Sequence, residues 1–161
     1  MDILKELEIE YVVAPYEADA QMAYMVKSGQ AAFAISEDSD LIAYGCPKIL
    51  MKLDFYGLAQ VWDVEEFTKM TVDVAKDKNL TSLKQLQSLS SEQFRYACVM
   101  AGCEYLPNIE RIGLKVALKH FAKHKTFDAV MTFLRANKMT KDRVPECYEE
   151  KARQVVELFQ Y

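Results

Sequence analysis

The sequence lacks several features that mark common protein classes. It has only two histidines, and its four cysteines include no Cys-x-x-Cys pair, so a zinc site is not expected. The N-terminal segment MDILKELEIE lacks the basic-then-apolar order of a secretory signal. No apolar run approaches the roughly 18–20 residues of a membrane span. These absences predict an intracellular chain without a membrane segment, whose thiols are reduced.

The sequence is rich in apolar residues, and its charge is unevenly distributed. Apolar residues make up 51% of the 161, enough for the core of one domain. Residues 1–75 carry five Lys and Arg against fourteen Asp and Glu, a net charge of −9, and residues 76–161 carry fifteen against ten, a net of +5. This asymmetry indicates an acidic half that holds cations and a basic half that holds polyanions; the alternative is unequal solvated surface.

The order of the predicted elements indicates an α/β part, residues 1–75, followed by an all-helical part, residues 76–161. Short apolar runs predict strands at EYVVAP, AAFAI, KILMKLD and AQVWDV. Helices are predicted at ILKELEIE, YEADAQMAYMVKSG and SDLIAYG. This alternation favours a parallel sheet layer. From a capping box at Ser90 or Ser91 onward, the spacing predicts four longer helices.

Acidic residues follow two of the predicted strands, at the point where each strand ends. Glu17 and Asp19 come after EYVVAP, whereas Asp38 and Asp40 come, with Glu37, after AAFAI. Ligands of open parallel sheets gather beyond the carboxyl ends of the strands, so the two groups are expected to lie close together. Hard divalent cations such as Mg²⁺ would relieve their repulsion. The alternative is that these acids are ordinary helix caps and first-turn acids, Asp38 included. This alternative is stronger for Glu17 and Asp19, because residues two apart on a helix do not face the same way.

Basic residues recur every four positions in the second half. They are Arg111, Lys115, Lys119 and Lys123, joined by Lys125 and by the histidines His120 and His124. On a helix this spacing forms a stripe of positive charge that suits the phosphates of a nucleic-acid strand, with the apolar residues between facing the core. The preceding turn ends at Gly113, and backbone N–H groups at a helix start bind phosphate. The alternative is an ordinary solvated helix face.

Three motifs together resemble the flap endonuclease superfamily, and in particular its eukaryotic exonuclease-one branch. They are APYEADAQMAY, SEDSDLIAYG and RYACVMAGCEYL followed by IGL, and the similarity runs from about Leu4 to Leu118. The resemblance implies a PIN-like nuclease fold. It also implies a structure-specific 5′ nuclease that hydrolyses DNA phosphodiesters at a 5′ end, nick or flap in DNA repair. A nuclear location and DNA-repair proteins as partners follow from the resemblance alone.

The resemblance assigns roles to particular residues. Two Mg²⁺ or Mn²⁺ ions are expected at acids that match the family motifs and serve as catalytic metal ligands: Glu17, Asp19, Asp38, Asp40 and Glu104. Residues from about 92 to 125 are expected to form a helix-two-turn-helix that grips the DNA backbone. Its DNA-binding residues are expected to be Arg111, Gly113, Lys115, Lys119 and Lys123. A K⁺ ion in its turn is expected at Ala101, Asn108 and Ile112.

Three departures from the family pattern affect these expectations. The family's remaining metal aspartates lie in an N-terminal stretch that the 161 residues do not contain, so the sheet is expected to lack strands and the chain alone to be inactive. Glu104 stands where the family has aspartate, and its side chain is one methylene longer. Without the resemblance, a glutamate in such a turn would be interpreted as a solvated residue. The turn AGCEYLPNIERIG replaces a serine-rich Gly-x-Gly turn, so weaker K⁺ binding is expected.

The leading hypothesis is therefore a metal-dependent 5′ nuclease acting on DNA. The alternative is a relative that binds branched or nicked DNA, or a protein partner, without cutting. A third interpretation, from the pattern alone, is an unrelated Mg²⁺ phosphohydrolase that acts on a small substrate through Asp38 and Asp40. The basic stripe argues against it, because a small phosphate does not need a line of cations several helical turns long.

Overall fold

The computed structural model describes residues 2–73 and 80–160. In chain order, its elements are α1 (Asp2–Glu6), α2 (Ala18–Lys27), β1 (Ala34–Ile35), α3 (Asp40–Ala43), β2 (Lys48–Met51), β3 (Gln60–Asp63), α4 (Val64–Lys69), α5 (Thr81–Gln87), α6 (Ser91–Ala101), α7 (Leu114–His124), α8 (Phe127–Ala136), a 3₁₀ turn (Lys141–Arg143) and α9 (Tyr148–Leu158). The boundary predicted at residue 75 lies outside the described residues. None of the described helices is long and apolar enough to cross a membrane.

The three strands form one mixed sheet in the order β1–β2–β3. β1 runs parallel to β2, with Ala34 opposite Ile49, whereas β2 and β3 are antiparallel, with Lys48 opposite Asp63. The predicted parallel layer is therefore confirmed only for β1 and β2. The connection from β2 to β3, residues 52–59, is too short for a parallel return, which needs a crossover of a dozen or more residues.

The predicted strand at EYVVAP is wrong. Residues 9–14 form neither helix nor strand, and the side chains of Tyr11, Val12 and Val13 are exposed. β-Branched and aromatic residues favour a strand where a neighbouring strand completes the backbone hydrogen bonds. Within residues 2–73 and 80–160, the only sheet is the three-stranded one, and this segment does not join it. Local propensity alone does not make a strand.

The long helices begin and end close to where the sequence predicts. At α6 the Ser90 hydroxyl accepts the Gln93 N–H at 3.2 Å, and the Gln93 side chain accepts the Ser90 N–H at 2.9 Å, which confirms the capping box. The Thr126 hydroxyl caps α8 by accepting the Ala129 N–H at 3.2 Å. The helix predicted at ILKELEIE is shorter than its pattern, since α1 ends at Glu6.

Helix α6 lies at the centre of the packing, against α3, α7 and α9. Its Val99 and Met100 are fully buried, and the Tyr96 ring stacks on Phe127 with 4.3 Å between the ring centroids. α3 also packs against α2. One hydrophobic core therefore includes residues from Ala23 to Phe159, and α6 connects the strand-containing region to the helices that follow.

Candidate functional site

The five predicted acidic ligands lie where α2, α3 and the loop after α6 come together. Glu17 is the residue before α2, and Asp19 lies in the first turn of that helix. Asp38 precedes α3, and Asp40 is its first residue. Glu104 follows the end of α6. The prediction that both groups follow strand ends is therefore only half confirmed, because Asp38 and Asp40 follow β1 whereas Glu17 and Asp19 follow no strand.

Side chain to backbone hydrogen bonds fix the segment that leads into α3. The Ser36 hydroxyl accepts the Asp38 N–H at 3.0 Å, and the Asp38 carboxylate in turn accepts the Asp40 N–H at 2.9 Å. Asp38 therefore forms a turn that leads into α3, but it is not the N-cap of that helix, which is Ser39 and makes no side-chain cap hydrogen bond. Glu37 belongs to a different structure, because its carboxylate accepts the Lys52 N–H at 2.6 Å at the end of β2.

Burial and the neighbouring acids raise the pKa values of two members of the group. The pKa of Asp19 is raised by burial first, and then by the negative charges of Asp38, Glu17 and Glu104. The pKa of Asp40 is raised by burial and by Asp38, Glu104 and Asp19. None of the ion pairs among the described residues involves these five acids. Their mutual repulsion therefore has no compensating protein cation in that part of the chain.

This repulsion has a measurable consequence for stability. Without divalent cations, Asp19 and Asp40 hold protons more tightly in the folded than in the unfolded chain, where the aspartate pKa is 3.8. From pH 3.8 up to the raised folded values, their contribution makes the free energy of unfolding fall as pH rises. We expect the double variant Asp19→Asn/Asp40→Asn to lose this part of the pH dependence. The measurement is the free energy of unfolding in EDTA, compared between the wild type and the double variant as a function of pH.

The comparison with the double variant is necessary because other carboxylates change the free energy of unfolding with pH in the opposite direction. The pKa of Asp63 is lowered by its hydrogen bond and charge interaction with Lys48 and by the N–H groups of Glu66 and Glu65. Its contribution to stability is therefore lost as pH falls. If the difference in unfolding free energy between the wild type and the double variant were the same at every pH, the prediction would be wrong.

A tight loop places Glu104. Gly102 has φ of 104°, and a Cβ there would lie 3.2 Å from Asn108 atoms, so a side chain would disrupt the loop. The Cys103 N–H donates to the Leu106 carbonyl at 3.0 Å, and Leu106 is buried. The loop is thus anchored on both sides of the Glu104 side chain, which is itself exposed.

The residues predicted around a K⁺ ion lie in the same loop region. Ala101 is the last residue of α6, and Asn108 packs against Gly102 while donating its Nδ2–H to the Ile109 carbonyl at 3.2 Å. Ile112 is buried, and its N–H donates to the Ile109 carbonyl at 2.8 Å. Potassium binding by these residues stays a prediction.

A cavity of about 530 Å³ opens beside the acids. Its lining includes four tyrosines and consists of Pro15, Tyr16, Glu17, Ala20, Gln21, Tyr24, Tyr44, Tyr105 and Leu158. The sequence indicates Glu17 as a functional residue but not Tyr44 or Tyr105. Tyr105 directly follows the candidate ligand Glu104, which could have drawn attention to it. Together with Leu106, however, it forms an apolar pair that predicts a core position.

The predicted basic stripe lies only partly on a helix. Lys115, Lys119 and Lys123 are exposed on α7 at i, i+4 spacing. Arg111 is not on the helix, because α7 begins at Leu114. It has φ of 64°, and its guanidinium lies 3.6 Å from the Glu110 carboxylate. The stripe on α7 therefore contains three lysines, and the Arg111 side chain is already paired in the loop.

The apolar residues between the lysines of α7 are not all buried, although the sequence predicts that they face the core. Ala117, Leu118 and Phe121 are buried as predicted, whereas Leu114 and Val116 are exposed. A helix on the surface buries only one face, and Leu114 and Val116 in the first turn of α7 lie outside the buried face. Gly113 precedes α7 with φ of −91°, and a Cβ on it would meet no atom within 4 Å, so this helix start is open.

The two histidines of α7 belong to a helix contact rather than to the basic stripe. The rings of His120 and His124 pack against Phe133 of α8, with 5.4 and 4.6 Å between ring centroids. The pKa of His120 is lowered by burial and by the charges of His124 and Lys123. Because both rings pack against Phe133 of α8, the histidines belong to that helix contact, and the exposed stripe on α7 consists of its three lysines.

The fold has close counterparts among solved nucleases. The flap endonuclease-1 from Methanococcus jannaschii superposes with a TM-score of 0.63 and 23% identity, covering 96% of this chain and 41% of the other. The catalytic core of Rad2 in complex with DNA substrate gives a TM-score of 0.67 at 18% identity, covering 99% and 46%. The chain thus has the fold of part of these nuclease cores.

Sequence comparison identifies the family. The XPG I-region family model matches residues 8–104, and this chain belongs to that family. Exonuclease 1 from Arabidopsis thaliana is 34% identical over 161 residues, which is the whole of this chain and 20% of the relative. The chain thus spans about a fifth of the length of the exonuclease relatives it matches. The resemblance predicted from the three motifs is confirmed.

Proposed function

We propose that the chain is part of a metal-dependent, structure-specific 5′ nuclease that hydrolyses DNA phosphodiesters in DNA repair. The main support for this proposal is the group of acidic residues at the junction of α2, α3 and the loop after α6, in a chain of the XPG I-region family. Its charges repel one another and no protein cation in the described residues pairs with them, which is the electrostatic condition for holding divalent cations.

The donor set suits Mg²⁺ or Mn²⁺. All five side chains offer carboxylate oxygens, which these hard cations prefer. As they stand, no three His, Cys, Asp or Glu side chains among the described residues are close enough to hold an ion, so the ligand set remains a prediction. When bound, two ions would polarise the scissile phosphate and supply hydroxide. Asp19, Asp38, Asp40 and Glu104 would hold them, with Glu17 acting directly or through water.

The DNA would be held by α6, α7 and the loop between them. We propose that α6, residues 102–113 and α7 act as the helix-two-turn-helix, with a K⁺ ion in the turn. Lys115, Lys119 and Lys123 would contact successive phosphates, and the open helix start at Gly113 would approach the backbone. Such contacts fix position without reading sequence, as suits an enzyme that recognises an end, nick or flap. Nuclear location and DNA-repair partners belong to the same proposal.

A cleavage assay on 5′-labelled nicked and flapped duplexes tests the function. The 161-residue chain and the longest polypeptide that contains it are assayed side by side in Mg²⁺ and in EDTA. We expect products from the longer polypeptide and only in Mg²⁺, no products from the 161-residue chain alone, and DNA binding in EDTA that weakens steeply with salt. Salt-sensitive binding without products from either polypeptide would instead support the non-cutting relative. Metal-dependent hydrolysis of a generic phosphate ester, without DNA cleavage, would support the small-substrate phosphohydrolase.

A further inference from the structure

The cavity beside the acids has the composition of a ligand-binding site. Its volume of about 530 Å³ lies within the range of sites for small organic ligands, roughly 300–1,000 Å³. Four tyrosines line it, and Glu17 and Gln21 add a carboxylate and an amide. The Gln21 amide makes no hydrogen bond within the part of the chain that the structure describes. An aromatic lining with few polar groups is typical of a site that binds a flat, uncharged ring.

Two of the four tyrosine rings have uncovered faces. Tyr16 is 93% exposed and Tyr24 is 54% exposed. Neither ring contacts another aromatic ring or a cation among residues 2–73 and 80–160. Two large aromatic side chains that face water in one cavity are hydrated at a cost in free energy, so a flat ring that covers them would be stabilised there.

The other two tyrosines are held by the hydrophobic core. Tyr44 is 5% exposed, and its ring packs on Phe159 with 4.8 Å between the ring centroids. The Tyr105 ring lies edge-on to the same Phe159, with 6.1 Å between centroids. Close packing fixes such rings in place. A ligand in the cavity would therefore meet two rings that the core holds and two that are free to adjust.

The position and charge of the cavity favour a nucleobase as its occupant. Glu17 is part of the lining, and Tyr105 directly follows Glu104 in the chain. At the end of α3, the Tyr44 N–H donates to the Asp40 carbonyl at 2.9 Å. The cavity therefore adjoins the acidic group, where the phosphate of the DNA is proposed to react. The negative charge of Glu17 repels a second phosphate, whereas a nucleobase is uncharged and has two π-faces.

We propose that this cavity binds an unpaired nucleobase of the DNA strand that is cut, by stacking on Tyr16 and Tyr24. The inference rests on the proposed nuclease function and adds a base-binding site to it. A base inside a duplex must leave its stack to enter a cavity, and this costs least where the base is already unpaired. Since every base has a π-face, stacking would favour unpaired ends without reading their sequence.

The test measures the affinity of the longest polypeptide that contains this chain for flapped duplexes, by fluorescence anisotropy in EDTA so that the DNA is not cut. An abasic nucleotide is placed at each position of the 5′ flap in turn. In the wild type, one abasic position is expected to weaken binding about tenfold, because the stacking of its base is lost. Tyr16→Ala/Tyr24→Ala should bind the intact flap about tenfold more weakly, and the abasic nucleotide should have little further effect.

Two single variants separate stacking from other effects. Tyr16→Phe keeps the ring and removes only the hydroxyl, so it should bind both substrates like the wild type. Tyr11→Ala removes the ring of another exposed tyrosine, which lines a different cavity, and it should retain the full effect of the abasic nucleotide. Because Tyr16 and Tyr24 are exposed, their replacement should leave the melting temperature unchanged.

The failure of this inference can be distinguished from the failure of the proposed function. An equal effect of the abasic nucleotide in the wild type and in the double variant would overturn the inference, as would wild-type binding that does not depend on any base of the flap. In both cases, Mg²⁺-dependent cleavage of the flap by the wild type would leave the nuclease function intact. If the wild type neither bound nor cut flapped DNA, the proposed function would be wrong, and the base-binding site with it.

Discussion

Replacement of Asp40 by asparagine is expected to lower Mg²⁺-dependent cleavage by at least about a thousandfold, equivalent to about 4 kcal/mol in transition-state stabilisation. Asparagine has nearly the same shape but carries no charge, so it cannot neutralise a divalent cation in the same way. Since Lys115, Lys119 and Lys123 are on a different helix, the affinity for DNA in EDTA should change little. Asp38→Asn is expected to behave in the same way, although it also weakens the hydrogen bond from the Asp40 N–H that fixes the turn before α3.

The same variant should have the opposite effect on metal-free stability. Burial and three neighbouring carboxylates raise the pKa of Asp40, so its charge is unfavourable in the folded state at neutral pH. We expect Asp40→Asn to melt at a higher temperature than the wild type in EDTA, and to lose the further stabilisation that Mg²⁺ gives the wild type. A loss of activity with a lower melting temperature would indicate damage to the fold.

The control for these measurements is Asp142→Asn. Asp142 lies on the 3₁₀ turn and is exposed, and it takes no part in the described ion pairs. The substitution removes one negative charge far from α3 in sequence, so it reports the effect of net charge alone. Cleavage by Asp142→Asn should equal that of the wild type. If Asp40→Asn cleaved as fast as this control, the proposed catalytic role of Asp40 would be wrong.

Replacement of Lys115 and Lys119 by glutamine is expected to weaken binding to nicked duplex DNA by about a hundredfold at low salt. Each lysine that neutralises one phosphate contributes about 0.9 to the slope of log affinity against log salt, so the slope should fall by about 1.8. The measurement is fluorescence anisotropy in EDTA at several salt concentrations. Lys123 is left unchanged because its ammonium also lies over the Phe133 ring, 5.5 Å from the centroid.

The matched control is Lys138→Gln/Lys151→Gln, which removes the same charge from two exposed positions outside α7. These substitutions should leave the salt slope unchanged. An equal loss of affinity in both double variants would mean that DNA responds to net charge rather than to the α7 stripe. Unchanged affinity in the α7 variant would place the DNA-binding surface elsewhere on the molecule.

The helical half was largely predictable because its signals are local. The hydrogen bonds at Ser90 and Gln93 connect residues three apart, and the apolar spacing of α7 identifies Ala117 and Phe121 as buried. The strands were less predictable. β1 has only two residues, and EYVVAP has strand composition without strand structure. A strand depends on a partner elsewhere in the chain, and composition does not state whether that partner is present.

For the candidate site, the sequence determined which chemical groups are available. The spacing of Glu17, Asp19, Asp38 and Asp40 and the motif containing Glu104 indicated carboxylates in a family-specific order, and the family match confirmed the resemblance. Five carboxylates and a line of lysines already predict a cation site and a polyanion surface. These conclusions require only residue identity, local spacing and charge.

Only the tertiary structure decided which groups act on one another. It brought the acids of α2, α3 and the loop after α6 into electrostatic contact, and it placed Tyr44 and Phe159 behind Tyr105. It also separated Arg111 from the helical stripe. Such relations join residues that are far apart in the chain or depend on where a helix begins. Packing of α6 against its neighbours sets them, and no local pattern in the sequence encodes that packing.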